Sequence, residues 1–145
     1  MSDFDIAIIG SGPGGYVCAI RAAQLGLSVC CVEKSETLGG TCLNVGCIPS
    51  KSLLHTSYLF KQTKDLNKIG ITVSDVQIDI KKMINSKNES VVGLTDGIKF
   101  LFKKNKIIHK KGFGRIVNSN EIEILSDNNS EIIKAKNIVI ATGSE

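Results

Sequence analysis

The chain has 145 residues, of which 42% are hydrophobic, and a formal net charge of +4 at pH 7. That is enough for one domain with a real core. The charge surplus is too small to imply nucleic acid, and no apolar run approaches the roughly 20 residues that span a bilayer.

The acidic start, Met1-Ser2-Asp3-Phe4-Asp5, leads straight into a strand and is not a signal or transit peptide, so the expected location is cytoplasmic. Phe4 to Ile9 is a short, nearly continuous apolar run, the pattern of a parallel strand buried on both faces. Gly10-Ser11-Gly12-Pro13-Gly14-Gly15 follows at once. A helix is predicted over Gly14–Leu25, with Val17, Ile20, Ala23 and Leu25 on its apolar side and Gly26 placed to stop it. Leu27 to Val32 is a second buried strand, ending at Glu33.

These pieces form a βαβ unit with G-x-G-x-x-G in its first turn. A lone match is weak, but strand, helix, second strand and terminal acid at these distances make a dinucleotide site. Gly10 allows the tight turn, Gly12 lets backbone approach a pyrophosphate, and Gly15 lets helix and strand pack closely. The helix N-terminus offers free N–H groups and a positive dipole end to the phosphates. Glu33 is placed to accept hydrogen bonds from the adenosine ribose hydroxyls and disfavours a 2′-phosphate.

Cys42 and Cys47 follow, in Gly40-Thr41-Cys42-Leu43-Asn44-Val45-Gly46-Cys47-Ile48-Pro49-Ser50-Lys51. In a regular helix, residues five apart lie roughly 8–9 Å from each other at Cα. A disulfide tolerates at most about 7 Å. If this pair bonds, the segment cannot be one straight helix; Gly46 and Pro49 supply the freedom and the break. The alternative of a zinc site needs two further ligands, and only His55 is near in sequence. Cys18, Cys30 and Cys31 lie in apolar stretches, where cysteine acts as a small hydrophobe. Five cysteines of this distribution are not a disulfide framework.

An amphipathic helix is predicted over Ser52–Lys61, then a loop with a short extended piece over Leu66–Val76. Ile80, Ile84, Val91, Leu94, Ile98, Leu101 and Phe102 keep mostly helical spacing, with Asp79 as N-cap. Lys103 and Lys104 suit the helix C-terminus, and the lysine cluster through Lys111 reads as a solvated face. Lys106–His109 is a short strand. Gly112–Val117, Glu121–Leu125 and Glu131–Ala135 form an antiparallel meander. Asn137–Ala141 is another buried strand, ending in Thr142-Gly143-Ser144. The fold class is α/β, a Rossmann-like parallel sheet with helices plus an antiparallel β-meander.

The glycine finger, Glu33, the run Gly39–Lys51 around both cysteines, and Ala141-Thr142-Gly143-Ser144 together resemble the flavin-dependent pyridine nucleotide-disulfide oxidoreductases. Leu43, Ile48, the Ser50-Lys51 pair and Leu53-Leu54-His55 resemble most the members that oxidise dihydrolipoamide. Mercuric reductases are also near at Ser50-Lys51, and a short non-catalytic flavin-binding module is a further alternative.

The resemblance implies that the bound dinucleotide is FAD, with NAD⁺ as co-substrate through a domain outside this sequence. It implies cofactor contacts from Ile9, Gly10, Gly12, Pro13, Gly14, Gly15, Glu33, Lys34, Gly39, Gly40, Thr41, Cys42, Cys47, Lys51, Gly114, Ala141, Thr142, Gly143 and Ser144. It makes Cys42 the sulfur that meets the dithiol substrate, Cys47 the sulfur beside the flavin, and Lys51 a cation near both; these three are the catalytic candidates. No metal is expected. The implied partner is dihydrolipoamide on a lipoyl carrier domain of a 2-oxo acid dehydrogenase complex, and the implied parent is a homodimer that binds neither nucleic acid nor membrane. Residues 1–145 are then one FAD-binding domain with its redox disulfide. The NAD-binding and interface domains lie elsewhere, the latter with a catalytic His–Glu pair. Neither His55 nor His109 takes that role.

Overall fold

The computed structural model describes residues 3–126 and 129–144. Met1 and Ser2 of the acidic start, and Asp127-Asn128 of the turn expected before Glu131, lie outside the described residues. The order is β1 (Phe4–Ile9), α1 (Pro13–Gln24), β2 (Val29–Glu33), α2 (Gly40–Asn44), α3 (Cys47–Thr63), a 3₁₀ turn (Leu66–Ile69), α4 (Ile80–Lys104), β3 (Ile108–Lys111), β4 (Phe113–Asn118), β5 (Glu121–Ser126) and β6 (Asn129–Ile140). The strands run β3-β2-β1-β6-β5-β4 across the sheet. The first four are parallel, and β6, β5 and β4 are antiparallel.

Alternation along β1 and β2 divides the core into two layers. Ile8, Val29 and Cys31 face the helices and pack with Ala19, Ala22, Ile98 and Phe102. Ala7, Ile9, Cys30 and Val32 face the meander and pack with Ile122, Ile124, Ile133 and Ala135. Both faces of the parallel strands are therefore covered, which is why they read as continuous apolar runs. Cys30 and Cys31 are fully buried, one in each layer.

The meander and the last parallel strand, expected as separate elements, are joined. β6 is one strand that changes partner. Asn129–Lys134 pair antiparallel with β5, and Ala135–Ile140 pair parallel with β1. Asn120 ties the changeover: its N–H₂ donates to the carbonyls of Ala135 and Lys136, and its own carbonyl accepts from the Ala135 N–H. Because β5 covers only the first half, the second half is an edge. Ile140 is 67% exposed and is not the buried residue the apolar run predicts.

Two other expectations shift. On α1 the buried stripe is Gly15, Ala19 and Ala22, while Val17 and Leu25 face solvent. Small residues win there because the helix must lie close against the end of β1. After the 3₁₀ turn, residues 71–79 adopt no strand. The first half of α4 leaves Ile80 and Ile84 exposed; burial begins at Thr95. As expected, the Asp79 carboxylate caps α4, accepting from the Lys82 N–H at 3.0 Å. A Schellman pair of bonds closes α1, from Gly26 N–H to Ala23 and from Leu27 N–H to Ala22.

A Cβ on Gly15 would overlap the Gly10 carbonyl oxygen. Alanine in a helix is normally favoured over glycine by about 1 kcal/mol. Here the sign reverses: Gly15→Ala is expected to lower the urea midpoint of the full-length protein. Asp79→Ala, which removes the cap and an exposed ion pair with Lys82, is expected to cost about 1 kcal/mol. A Gly15→Ala variant as stable as wild type would contradict the close approach.

Candidate functional site

The carboxyl ends of β1 and β6 carry the site. From β1 the chain crosses to β2 on one side, and it returns through β4 and β5 to reach β6 on the other. Such a switch point opens a crevice beyond the strand ends. Gly10 leaves β1 with its N–H donating to Val32 O at 2.8 Å, and the Ala141 N–H donates to Ile9 O at 2.8 Å. Between them lies a cleft of about 620 Å³, within the usual range for a ligand site. Its walls are Ile9–Pro13, Val32–Ser35, Thr37, Gly40–Cys42, Asn44–Val45, Gly112–Gly114 and Ala141–Ser144.

Ser11 holds these walls together and is fully buried. Its N–H and its hydroxyl both donate to Glu33 Oε2, at 2.8 and 2.6 Å. Its carbonyl accepts from the Gly39 N–H at 2.9 Å. The Ser35 N–H donates to Glu33 Oε1 at 2.8 Å. Burial works to raise the Glu33 pKa, but the bonds from Ser11 and Ser35 outweigh it and hold the carboxyl below its ordinary value. Three bonds accepted by two oxygens leave acceptor capacity on a carboxylate. The glycine finger and the redox segment also touch directly, since a Cβ on Gly40 would come within 2.7 Å of Gly12 Cα.

The redox segment is broken as its geometry requires. α2 ends at Asn44 and α3 starts at Cys47, with Val45 and Gly46 between them. Both of their N–H groups donate to Thr41 O, which folds Cys47 back toward Cys42. The neighbouring Cys47 thiol first, then burial, raises the Cys42 pKa against the opposing pull of Lys51. Burial pushes the Cys30 and Cys31 thiols up to about 12, which leaves them inert near neutral pH. Among the described residues no group of three or more His, Cys, Asp or Glu could hold a metal ion.

Most of the residues singled out from the sequence meet here. Ile9, Gly10, Gly12, Pro13, Glu33, Lys34, Gly40, Thr41, Cys42, Gly114 and Ala141–Ser144 line the cleft. Gly15 and Gly39 are buried behind it, and Gly14 is exposed on the first turn of α1. Cys47 and Lys51 are exposed on α3, past the cleft's edge. Gly114 also packs over β1 and β2: a Cβ there would meet Ile9 at 3.1 Å and Val32 at 3.3 Å. His55 is exposed on α3 and stands apart from the site. Sequence reasoning missed Ser11, Ser35, Thr37 and Asn44. The one available signal was the polar residue inside G-x-G, two residues from the strand and opposite the acid.

The sequence over residues 4–145 matches the family model described as pyridine nucleotide-disulphide oxidoreductase. The chain belongs to that family. Membership implies a flavin cofactor, FAD. The mitochondrial dihydrolipoyl dehydrogenase of Mesocricetus auratus is 53% identical over 99% of this chain and 30% of its own length. That of Homo sapiens is 51% identical over 99% of this chain and 29% of its own. Among solved structures, the Cu(II) complex of the HOCl-induced flavoprotein disulfide reductase RclA from Escherichia coli matches with a TM-score of 0.80 and 28% identity, over 99% of this chain and 29% of that one.

The chain thus spans about 30% of the length of the curated relatives it matches. Those relatives are named as mitochondrial, which overturns the cytoplasmic expectation. That expectation rested on the few residues before β1 alone.

The residues present suit a flavin dinucleotide. No acidic side chain occupies the first turn of α1, so its unpaired N–H groups meet no internal competitor for an anion. A Cβ on Gly14 would meet nothing within 4 Å, which leaves that turn open to a ligand.

Because the Glu33 carboxyl is held low in the fold, it stabilises the protein above its ordinary pKa and loses that effect as pH falls through the folded value. Glu33→Gln is expected to lower stability at neutral pH and to flatten its loss between about pH 5 and about pH 3. Ser11→Ala is expected to cost about 1–3 kcal/mol, the price of leaving a buried acceptor short of a donor. Urea midpoints across that pH range check both. An acid limb for Glu33→Gln as steep as wild type would count against the assignment.

Proposed function

We propose that this chain is the FAD-binding, disulfide-bearing portion of a dihydrolipoyl dehydrogenase. The observation that carries the reading is the turn that brings Cys42 and Cys47 together at the edge of the dinucleotide cleft. The identity of 51–53% to dihydrolipoyl dehydrogenases, against 28% to the RclA reductase, favours dihydrolipoamide over other disulfide or metal substrates.

In the proposed half-reaction a substrate thiolate attacks Cys42 Sγ in the Cys42–Cys47 disulfide. The S–S bond breaks and Cys47 leaves as a thiolate. The second substrate thiol then attacks the mixed disulfide, which forms the substrate's own disulfide and leaves Cys42 and Cys47 as the reduced pair. Lys51, one turn along α3 from Cys47, supplies a positive charge to the pair. FAD, when bound, would supply the two-electron acceptor chemistry that links the reduced cysteine pair to the NAD⁺ co-substrate. The Gly10–Gly15 turn would hold the pyrophosphate, Glu33 the adenosine ribose, and Gly114 and Ala141–Ser144 would flank the cofactor. Cys47, exposed in this chain, would be the sulfur nearer the cofactor.

NAD⁺, a homodimeric parent, a lipoyl carrier partner in a 2-oxo acid dehydrogenase complex and a mitochondrial setting belong to the same reading. No helix among the described residues is long and apolar enough to cross a membrane.

Alkylation tests the assignment of the two sulfurs. The full-length protein is reduced with dihydrolipoamide without NAD⁺, treated briefly with iodoacetamide, and mapped by mass spectrometry. With FAD bound, Cys42 is expected to be labelled several-fold faster than Cys47. With FAD removed, both are expected to react, while Cys30 and Cys31 stay unlabelled. Preferential labelling of Cys47 in the FAD-bound protein would reverse the roles. Protein whose cysteines do not change on reduction would remove the redox reading altogether.

A further inference from the structure

Asn44 lies between the two cysteines and makes no bond to either of them. Its side chain instead spans the loop on the near side of the segment. The Thr37 hydroxyl donates to Asn44 Oδ1 at 2.7 Å. Asn44 Nδ2 donates to Gly40 O at 2.9 Å and to Leu38 O at 3.2 Å. Both Thr37 and Asn44 line the cleft and are half-buried. The loop they clamp is the one fastened to the glycine finger, through the Gly39 N–H on Ser11 O. Asn44 therefore ties the inter-cysteine turn to the rigid end of β1.

The centre of the turn is short and open to solvent. α2 has five residues, too short to be stable alone, and Val45 beyond it is 73% exposed. Leu43 is buried in the helix-side core and Cys42 and Ile48 pack against it, so the polar restraints between the two cysteines are the bonds to Thr41 O and this side-chain clamp.

We infer that Asn44, with Thr37, is a positioning pair that sets the disulfide–dithiol equilibrium of Cys42 and Cys47 by holding the chain between them in the bonding geometry. This rests on the redox reading proposed above. A clamped turn keeps the two sulfurs together when they are reduced, so little freedom is lost when the bond forms. A loosened turn lets the thiols separate, so the dithiol gains entropy and the disulfide becomes easier to reduce.

The equilibrium is read in mixtures of oxidised and reduced dithiothreitol. Cys42 and Cys47 give up two electrons and two protons as their S–S bond forms. The disulfide of oxidised dithiothreitol is cleaved and takes them up to give its two thiols. The full-length protein is equilibrated, quenched by alkylation and scored for both cysteines by mass spectrometry. Asn44→Leu is expected to lower the equilibrium constant for disulfide formation about tenfold, equivalent to about 30 mV. Thr37→Val, which removes one donor at nearly constant volume, is expected to shift it at least about threefold in the same direction, by the same conversion about 14 mV. Thr37→Val decides the matter if Asn44→Leu does not accumulate as folded protein.

A role confined to general stability would lower the unfolding midpoint equally for the oxidised and reduced forms and leave this constant unchanged. Variants that titrate within twofold of wild type, or in the opposite direction, overturn the inference. Wild-type protein that forms no Cys42–Cys47 disulfide in the same buffers overturns the redox reading instead.

Discussion

The Ser11–Glu33 contact is the joint on which the site depends. A carboxylate at the end of β2, 7% exposed, is costly to bury unless it is met by donors. Ser11 meets it with both its N–H and its hydroxyl, so the first turn after β1 is fixed to the end of β2. The same residue's carbonyl then takes the Gly39 N–H, which fixes the start of the redox segment. One small polar residue thereby connects three chain segments up to 28 positions apart, and no large side chain would fit where it lies. The glycines on either side serve this approach: Gly10 frees the strand end, and Gly40 comes against Gly12.

The layers beneath explain why that joint is rigid. The parallel strands are buried between helices on one face and the meander on the other. β6 belongs to both halves of the sheet, so the meander cannot move without moving the strand whose end flanks the cleft. Gly112 N–H donates to Glu33 O, which brings the β3–β4 corner to the same carboxyl-terminal edge. Each wall of the cleft is in this way the end of a strand or a turn bonded to one.

The cysteines show how one residue type takes two roles in one chain. Cys30 and Cys31 occupy adjacent strand positions and point into opposite core layers, where lost hydration keeps them protonated. Cys42 and Cys47 flank a turn, and the Cys42 thiol lies within the influence of Cys47 and Lys51. The contrast comes from solvent access and from the break between α2 and α3. The chain thus carries a paired-cysteine turn and an open cleft that share the segment Gly40–Cys42.

Local pattern was enough for much of this. The βαβ unit, the acid at Glu33, the break in the cysteine segment, the Asp79 cap and the meander all follow from spacing and residue type, because each is set within a few turns of chain. The apolar character of Cys18, Cys30 and Cys31 was equally legible. Three things needed the tertiary structure. The length of β6 depends on β1 and β5 being its partners at different positions, which no local period encodes. The buried face of α1 depends on how near the helix must come to Gly10, so small residues displaced the larger apolar ones. The roles of Ser11, Thr37 and Asn44 depend on partners brought close by folding; along the chain they are ordinary polar residues in a loop. The sequence alone determined which chemistry is present, since cysteine spacing and a glycine finger are covalent and local. Only the fold decided how those groups are held, because a hydrogen bond between residues 22 apart exists only once the sheet has formed.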